Sequence, residues 1–296
     1  MLQFLTYLFI AIYTATVIGI ILVVILGNRN PLKSLPWVVV LIVAPVVGLV
    51  FYFFFGQDLR RKRIISRRTY KRLMVYALPA HVRRSDAPVP AACQSLSTLL
   101  TNTSQAVSFY GSRLTHYGAG ASRMPALLEE IEKARDHIHI LYYIFCDDET
   151  GARLQQALIR KAKEGVKVRV LYDDVGCNGV KKEFFQQMRD ACAEVHALLH
   201  VRFPMLTDRV NYRNHRKIVV IDGRIAYTGG VNLADEYINA EQRFGYWKDA
   251  ALRIEGDAAW NFTVMFLNFW HAFRPSETDY SAFRPQHSAH PVQAGI

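Results

Sequence analysis

Hydrophobic and polar positions follow two different rules along this chain. From Met1 to Asn28 no side chain is charged, and none is charged from Ser34 to Gln57, so neither run has a polar face. Each exceeds the ~20 residues that cross a bilayer core, whereas a soluble helix of that length would carry a polar stripe. A cleaved leader would begin with a positive segment and hold an apolar stretch of only ~7–15 residues. The pattern predicts a two-helix transmembrane hairpin over residues 1–58, with spans at about 4–26 and 36–55. Asn28-Arg-Asn-Pro31 and Pro36 supply the turn chemistry between them.

Further on, periods of 3.6 and 2 alternate. Met124–Asp136 has helical spacing and is followed by the β-branched and aromatic run His137–Phe145. Gly151–Glu164 is a predicted helix, Val166–Tyr172 a strand, Lys181–Ala193 a helix and Val195–Leu199 a short strand. Lys217–Ile221 and Ile225–Thr228 read as two strands around the turn Asp222-Gly223. Asp249–Ile254 is another strand and Asp257–Phe273 a long aromatic-rich helix. Strands separated by helices of this length predict an α/β sandwich around a mixed sheet, over residues 111–275. Residues 59–110 read as a connector with one helix in its Pro- and Ser/Thr-rich part, and 276–296 as a polar linker.

The charge is unevenly placed. The chain has 296 residues and a net charge of +11, yet residues 59–84 alone carry ten Lys or Arg and no acid. The 24 basic residues after Arg84 are matched by 24 acidic ones, so the predicted α/β domain is neutral. A nucleic-acid binder would spread its excess over a folded face, and no nucleic-acid partner is expected. The strip from Leu59 to Arg63, continued by Arg67, Arg68, Lys71 and Arg72, outweighs Arg29 and Lys33 in the short loop. It therefore predicts a cytoplasmic body on a multi-pass inner-membrane anchor. The same strip suits a role in gathering anionic lipid, at up to ~1 kcal/mol per residue. Asn102-Thr103-Ser104 matches a glycosylation acceptor that a cytoplasmic domain would never use.

Cys93, Cys146, Cys177 and Cys192 form no metal or disulfide spacing, so reduced, buried thiols are expected. His137 and His139 share a strand face but have no third ligand at suitable spacing, and Ile138 and Ile140 mark the buried face; no metal is expected. Asp147-Asp148-Glu149 either holds a cation or a substrate hydroxyl, or starts a helix by complementing its dipole.

The richest chemistry lies between Asn211 and Glu236. His215 and Lys217 are two apart entering a strand and point the same way, with Arg216 opposite. An imidazole beside an ammonium suits an anionic substrate: the lysine holds phosphate oxygens, and the histidine attacks phosphorus or donates a proton. Asp222 lies an odd five residues from Lys217, which argues for a turn or framework role. Gly229 and Gly230 allow close backbone approach to a ligand, and Asn232 adds an amide donor.

The pattern His215-x-Lys217-x4-Asp222-x6-Gly229-Gly230-x-Asn232 resembles the signature of the phospholipase D superfamily. The stretch from Asn214 to Gly223, Asp235-Glu-Tyr237, Trp247-Lys-Asp249 and the run Arg253 to Gly256 resemble the bacterial cardiolipin synthases within it. Trp37, Pro45, Gly48, Tyr52 and Gly56 are spaced like that family's N-terminal membrane segment, and Tyr142 to Phe145 with Asp148 resemble its first core strand. The resemblance implies a phospholipase D-like fold and transfer of a phosphatidyl group between two phosphatidylglycerols, through a phosphohistidine and without metal or cofactor. Carried over, it makes His215, Lys217 and Asp222 the catalytic signature, Asp222 structurally. Asn232, Gly229, Gly230, Arg216 and Asn214 become substrate-binding.

Members of that family carry two such signatures, and His-x-Lys occurs once here. The segment from His290 to Ile296 resembles the entry to the first strand of a second repeat. Three arrangements follow as expectations: a homodimer pairing two motifs, a separate chain carrying the other half, or a truncated product. A non-catalytic lipid-binding module is the alternative from another class, and a phospholipase D-type hydrolase acting as a dimer is the other catalytic alternative.

Overall fold

A computed structural model describes residues 2–26, 31–44, 47–48, 51–52, 89–104, 106, 108–109, 111–201, 213–241, 243, 245–274 and 280–285. The chain divides into two compact units, residues 1–64 with 202–212, and residues 65–201 with 213–296.

The first unit holds α1 (Leu2–Leu26) and α2 (Pro31–Val43). Apolar residues surround α1 on every side, and Phe4, Tyr7, Phe9 and Ile12 are exposed. The α2 helix has 13 residues and includes Pro36 beyond its first turn. Among the described residues no helix is long and apolar enough to cross a membrane. The described side chains of α1 break at Ile20 and end at Leu22, and α2 stops at Val43, short of the expected second span. The basic strip lies outside the described residues.

Among the described residues, the second unit's first elements are a short 3-10 turn (Ala91–Cys93) and α3 (Gln94–Ser104). Its body contains β1 (Arg113–Tyr117), α4 (Gly120–Lys133), β2 (His137–Tyr142), α5 (Glu149–Lys163), β3 (Lys167–Asp173), α6 (Lys182–Asp190) and β4 (Glu194–Leu198). Then come β5 (Ile218–Ile221), β6 (Ile225–Gly229), β7 (Ala251–Glu255) and α7 (Asp257–Phe273). The seven strands form one sheet in the order β1-β7-β6-β5-β2-β3-β4. The pairs β2–β3 and β3–β4 are parallel and the rest antiparallel, giving the expected mixed sheet.

Three layers result. One face of the sheet packs Ile138, Ile140, Val170 and Val219 against Leu127 of α4, Leu158 of α5 and Met188 of α6. The other packs Leu141, Ile218 and Val220 against Trp260, Val264 and Trp270 of α7. Sequence periodicity missed β1, an edge strand whose Leu114 points outward. The run His137–Phe145 stops pairing as a strand at Tyr142, and Phe145 forms only an isolated bridge to Leu233.

Two expectations change. The β2 strand is buried on both faces, so His137 and His139 are interior residues, with the His139 imidazole stacked on Phe266 at 4.5 Å. The segment read as polar linker returns to the domain at residues 280–285, where Tyr280 and Phe283 are buried against the α7 side of the sheet. Residues 286–296, including the resemblance to a second repeat, lie outside the described residues.

Candidate active site

The antiparallel pairing of β5 with β2 and β6 brings several strand ends to one edge of the sheet. The C-terminal ends of β2, β3 and β6 meet the N-terminal ends of β5 and β7 there. His215 and Lys217 enter β5 at this edge. His215 is exposed and stacks on Tyr143, just past β2, with ring centroids 4.0 Å apart and planes 22° from parallel. Lys217 is buried, its ammonium 5.4 Å from the centroid of the same ring, and it donates to the His215 carbonyl at 2.8 Å. The two side chains thus meet one tyrosine. Burial pulls the Lys217 ammonium below its usual range, and the nearby Asp249 carboxylate works against that. A phosphate would find here an incompletely solvated cation, whose attraction for an anion exceeds that of the same group in water.

Asn232 is buried beyond β6, where its Oδ1 accepts from the Ile144 backbone N–H at 3.3 Å. It also bonds the Tyr237 hydroxyl, whose pKa burial has pushed up to about 12, so the hydroxyl stays protonated. Gly230 packs directly against the Asp249 carboxylate, which would have to move if a Cβ were added there. Trp247 donates to that carboxylate from its indole N–H at 3.4 Å. Gly229, at φ 146°, occupies backbone space that favours glycine and lets the chain turn toward Asn232.

Asn214 and Arg216 stand apart from this group. The Asn214 backbone N–H donates to Asp173 at 3.2 Å, and its Oδ1 accepts from the Arg216 backbone N–H at 3.2 Å. Arg216, grouped with the substrate-binding residues on resemblance, extends to the α7 side with its guanidinium 5.0 Å from the Phe269 ring centroid. Alternation along the strand entry requires that placement. Asp222 lies at the far end of β5, and its carboxylate accepts from the backbone N–H groups of Arg135, Asp136 and His137 at 2.9–3.3 Å. It fastens the start of β2 to the β5–β6 turn.

Asp173 carries no role in the sequence reasoning. Fully buried at the end of β3, it accepts from Val175, Gly176 and Asn214 N–H groups and pairs with Arg213 at 3.4 Å. It therefore holds the peptide that leads into His215. Its signal was an aspartate closing an apolar strand before Asp174-x-Gly176. Tyr143 and Asp249 belong to the motifs Tyr142–Phe145 and Trp247–Asp249, but only the folded chain brings them to His215 and Lys217.

The Asp147–Glu149 cluster is framework. Asp148 accepts from Gly151 at 2.9 Å as the N-cap of α5 and from the Asp235 N–H at 2.8 Å, while Asp235 accepts from Glu149 and Thr150. All four cysteines are free, but only Cys177 is buried; Cys146 is half-buried, and Cys93 and Cys192 are exposed. Burial pushes the Cys177 thiol up to about 12 and Cys146 to about 11, which makes both unreactive near neutrality. Among the described residues no group of three or more His, Cys, Asp or Glu is placed to hold a metal ion.

Comparison with known proteins places this site in context. Residues 127–250 match the family model described as cardiolipin synthase, PLD-like domain, and residues 14–57 match the phospholipase D-nuclease N-terminal model. Cardiolipin synthase 1 of Bacillus anthracis is 36% identical over 271 residues, covering 89% of this chain and 53% of that protein. Major cardiolipin synthase ClsA of Bacillus subtilis (strain 168) is 36% identical over 259 residues, covering 85% of this chain and 54% of that protein. Nuc from Salmonella typhimurium, a phospholipase D family member, aligns at 17% identity over 54% of this chain and 95% of that one, with a TM-score of 0.42. The chain spans about half the length of the curated relatives it matches. Residues 127–250 thus carry the PLD-like domain described for cardiolipin synthases, and over 85–89% of its length the chain is similar to these two bacterial synthases.

Proposed function

We propose that this chain is a membrane-anchored phosphatidyltransferase that joins two phosphatidylglycerols into cardiolipin and releases glycerol. The observation that carries the reading is the pairing of exposed His215 with buried Lys217 around Tyr143, beside Asn232 and Gly230. A ring nitrogen of His215 attacks the phosphorus of one phosphatidylglycerol. A phosphorus–nitrogen bond forms, the bond to the glycerol oxygen breaks, and the leaving oxygen takes a proton from a general acid. A hydroxyl of the second phosphatidylglycerol then attacks the phosphohistidine, gives its proton to the base that the acid has become, and frees His215. Lys217 and the Asn232 amide hold the phosphate oxygens through both steps. The acid is the histidine of a second signature, which lies outside these 296 residues because they hold His-x-Lys once.

The uncharged runs at the N-terminus, the apolar exposure of α1 and the match over residues 14–57 support a hairpin that anchors the domain on the cytoplasmic side. Anchoring confines enzyme and both substrates to one surface, which raises their encounter in productive orientation. No metal takes part in this reading.

The test is phosphatidylglycerol turnover by the purified chain at known oligomeric state, with His215→Ala alongside. Turnover that disappears in the variant is the expected result. Equal turnover in both would remove His215 from the chemistry. Lipid binding without turnover in either, from a folded assembly holding two signatures, would instead make the domain a phospholipid-binding module.

A further inference from the structure

The α3 helix is turned inside out. Its hydroxyl side turns toward the segment that follows it: Ser97 bonds Ser108 at 3.2 Å, and Thr101 donates to the Ala106 carbonyl at 3.1 Å. Its leucines face outward, with Leu96 and Leu99 each 57% exposed and Leu100 43%. These three positions follow the i, i+3, i+4 spacing of one helix face, and no residue of the helix is buried. In water that orientation leaves apolar surface uncovered while polar groups take the contacts, contrary to the usual sorting of an amphipathic helix. An apolar phase on the outer side reverses the preference.

The sequence before the helix indicates which phase that is. The strip of ten basic residues and no acid ends at Arg84, shortly before Gln94, and α3 itself carries no charge. A cationic segment is drawn to an anionic leaflet, and an uncharged helix beside it enters the headgroup boundary without desolvating an ion. We propose that α3 is an interfacial membrane helix that rests Leu96, Leu99 and Leu100 in the outer region of an anionic bilayer. This places a second contact with the membrane next to the α/β body, distinct from the hairpin. It rests on the anchored reading for bringing the strip to the membrane surface. An interfacial helix buries its apolar face about 5–10 Å into the headgroup boundary, so the contact fixes the height of the domain above the lipid.

The test uses the full chain reconstituted in vesicles of phosphatidylglycerol and phosphatidylcholine, in a background where the exposed thiols are removed by Cys93→Ser and Cys192→Ser. An environment-sensitive fluorophore is attached singly at Leu99→Cys, at Thr98→Cys on the opposite face, or at Ile12→Cys in α1. Brominated acyl chains serve as quenchers. The expected result is a blue shift and quenching at position 99, neither at position 98, and quenching at position 12. Quenching at 12 but not at 99 overturns the interfacial helix and leaves the anchor standing; no quenching at 12 overturns the anchor, whatever position 99 reports. A blue shift at 99 without lipid quenching means that protein covers the leucines, which also overturns the inference.

Discussion

Asp222 illustrates how far a single residue can be read from its spacing. Its odd separation from Lys217 predicts a framework role, and the carboxylate indeed collects three backbone N–H groups at the start of β2. It does so with φ at 51°, a region aspartate tolerates better than most side chains. Alanine would leave the half-buried His137 N–H without its partner, hand the exposed Arg135 and Asp136 N–H groups to water, and keep the unfavourable backbone angle. Asp222→Ala should therefore destabilise the domain by on the order of 3 kcal/mol, since hydrogen bonds to a charged group are worth ~1.5–3 kcal/mol each and losses in one cluster are not additive. Asp222→Asn should recover part of the loss, because its amide oxygen still accepts and asparagine shares the backbone tolerance. Denaturant midpoints of the three proteins check this; equal midpoints for wild type and Asp222→Ala would contradict it. His215 and Lys217 were equally legible, because period-two alternation fixes their shared side. The resemblance also names Arg216, which the same alternation turns to the α7 side: a motif names positions, whereas the strand decides which way each one points. Tyr143 and Asp173 close long-range contacts that no local pattern encodes.

At the scale of elements, the period rules located most helices and strands, and the misses have physical causes. The edge strand β1 pairs only with β7 and shows no outward polar alternation, so backbone pairing defines it and side-chain pattern does not. In β2 the rule misled about burial. A strand central in the sheet is covered on both faces, and its histidines lie beneath α7 and the Tyr280–Phe283 turn, next to cationic Lys167 and Arg169 and within reach of the Asp136 and Asp222 charges. His139 is fully buried, and neither ring nitrogen has a hydrogen-bond partner among the described residues. Burial, aided by neighbouring positive charge, holds its pKa well below 6.5, and His137 is also lowered. The sign follows from linkage. In acid below 6.5 the unfolded chain binds protons that the folded chain refuses, so stability is full above 6.5 and is lost as pH falls toward the folded pKa. His139→Phe keeps an aromatic ring against Phe266 and removes the refused proton. Its unfolding free energy should fall less steeply than wild type between pH 6.5 and pH 4.5. Parallel slopes would mean that His139 does not titrate with unfolding.

Across the whole molecule, the sheet edge that gathers His215, Lys217, Asn232 and Asp249 supplies one histidine, while the proposed transfer needs a nucleophile and an acid at the same phosphorus. These 296 residues thus hold one of the two histidines that the proposed transfer needs, and they span about half the length of the curated relatives. Two copies related by a two-fold axis would complete the centre, since a closed symmetric interface places the same edge of each copy against the other. Mixing subunits separates this arrangement from a site that works within one chain. If wild-type and His215→Ala chains exchange freely at equal amounts, about a quarter of random dimers contain two wild-type subunits. Turnover per total chain should then fall to about a quarter of the wild-type value if both histidines are required, and to about half if each subunit acts alone. A value near one half, with exchange verified by sizing of differently tagged subunits, would exclude the shared centre. A wild-type chain that is inactive alone, but gains turnover with a separate chain carrying the second His-x-Lys signature, would assign the general acid to that partner.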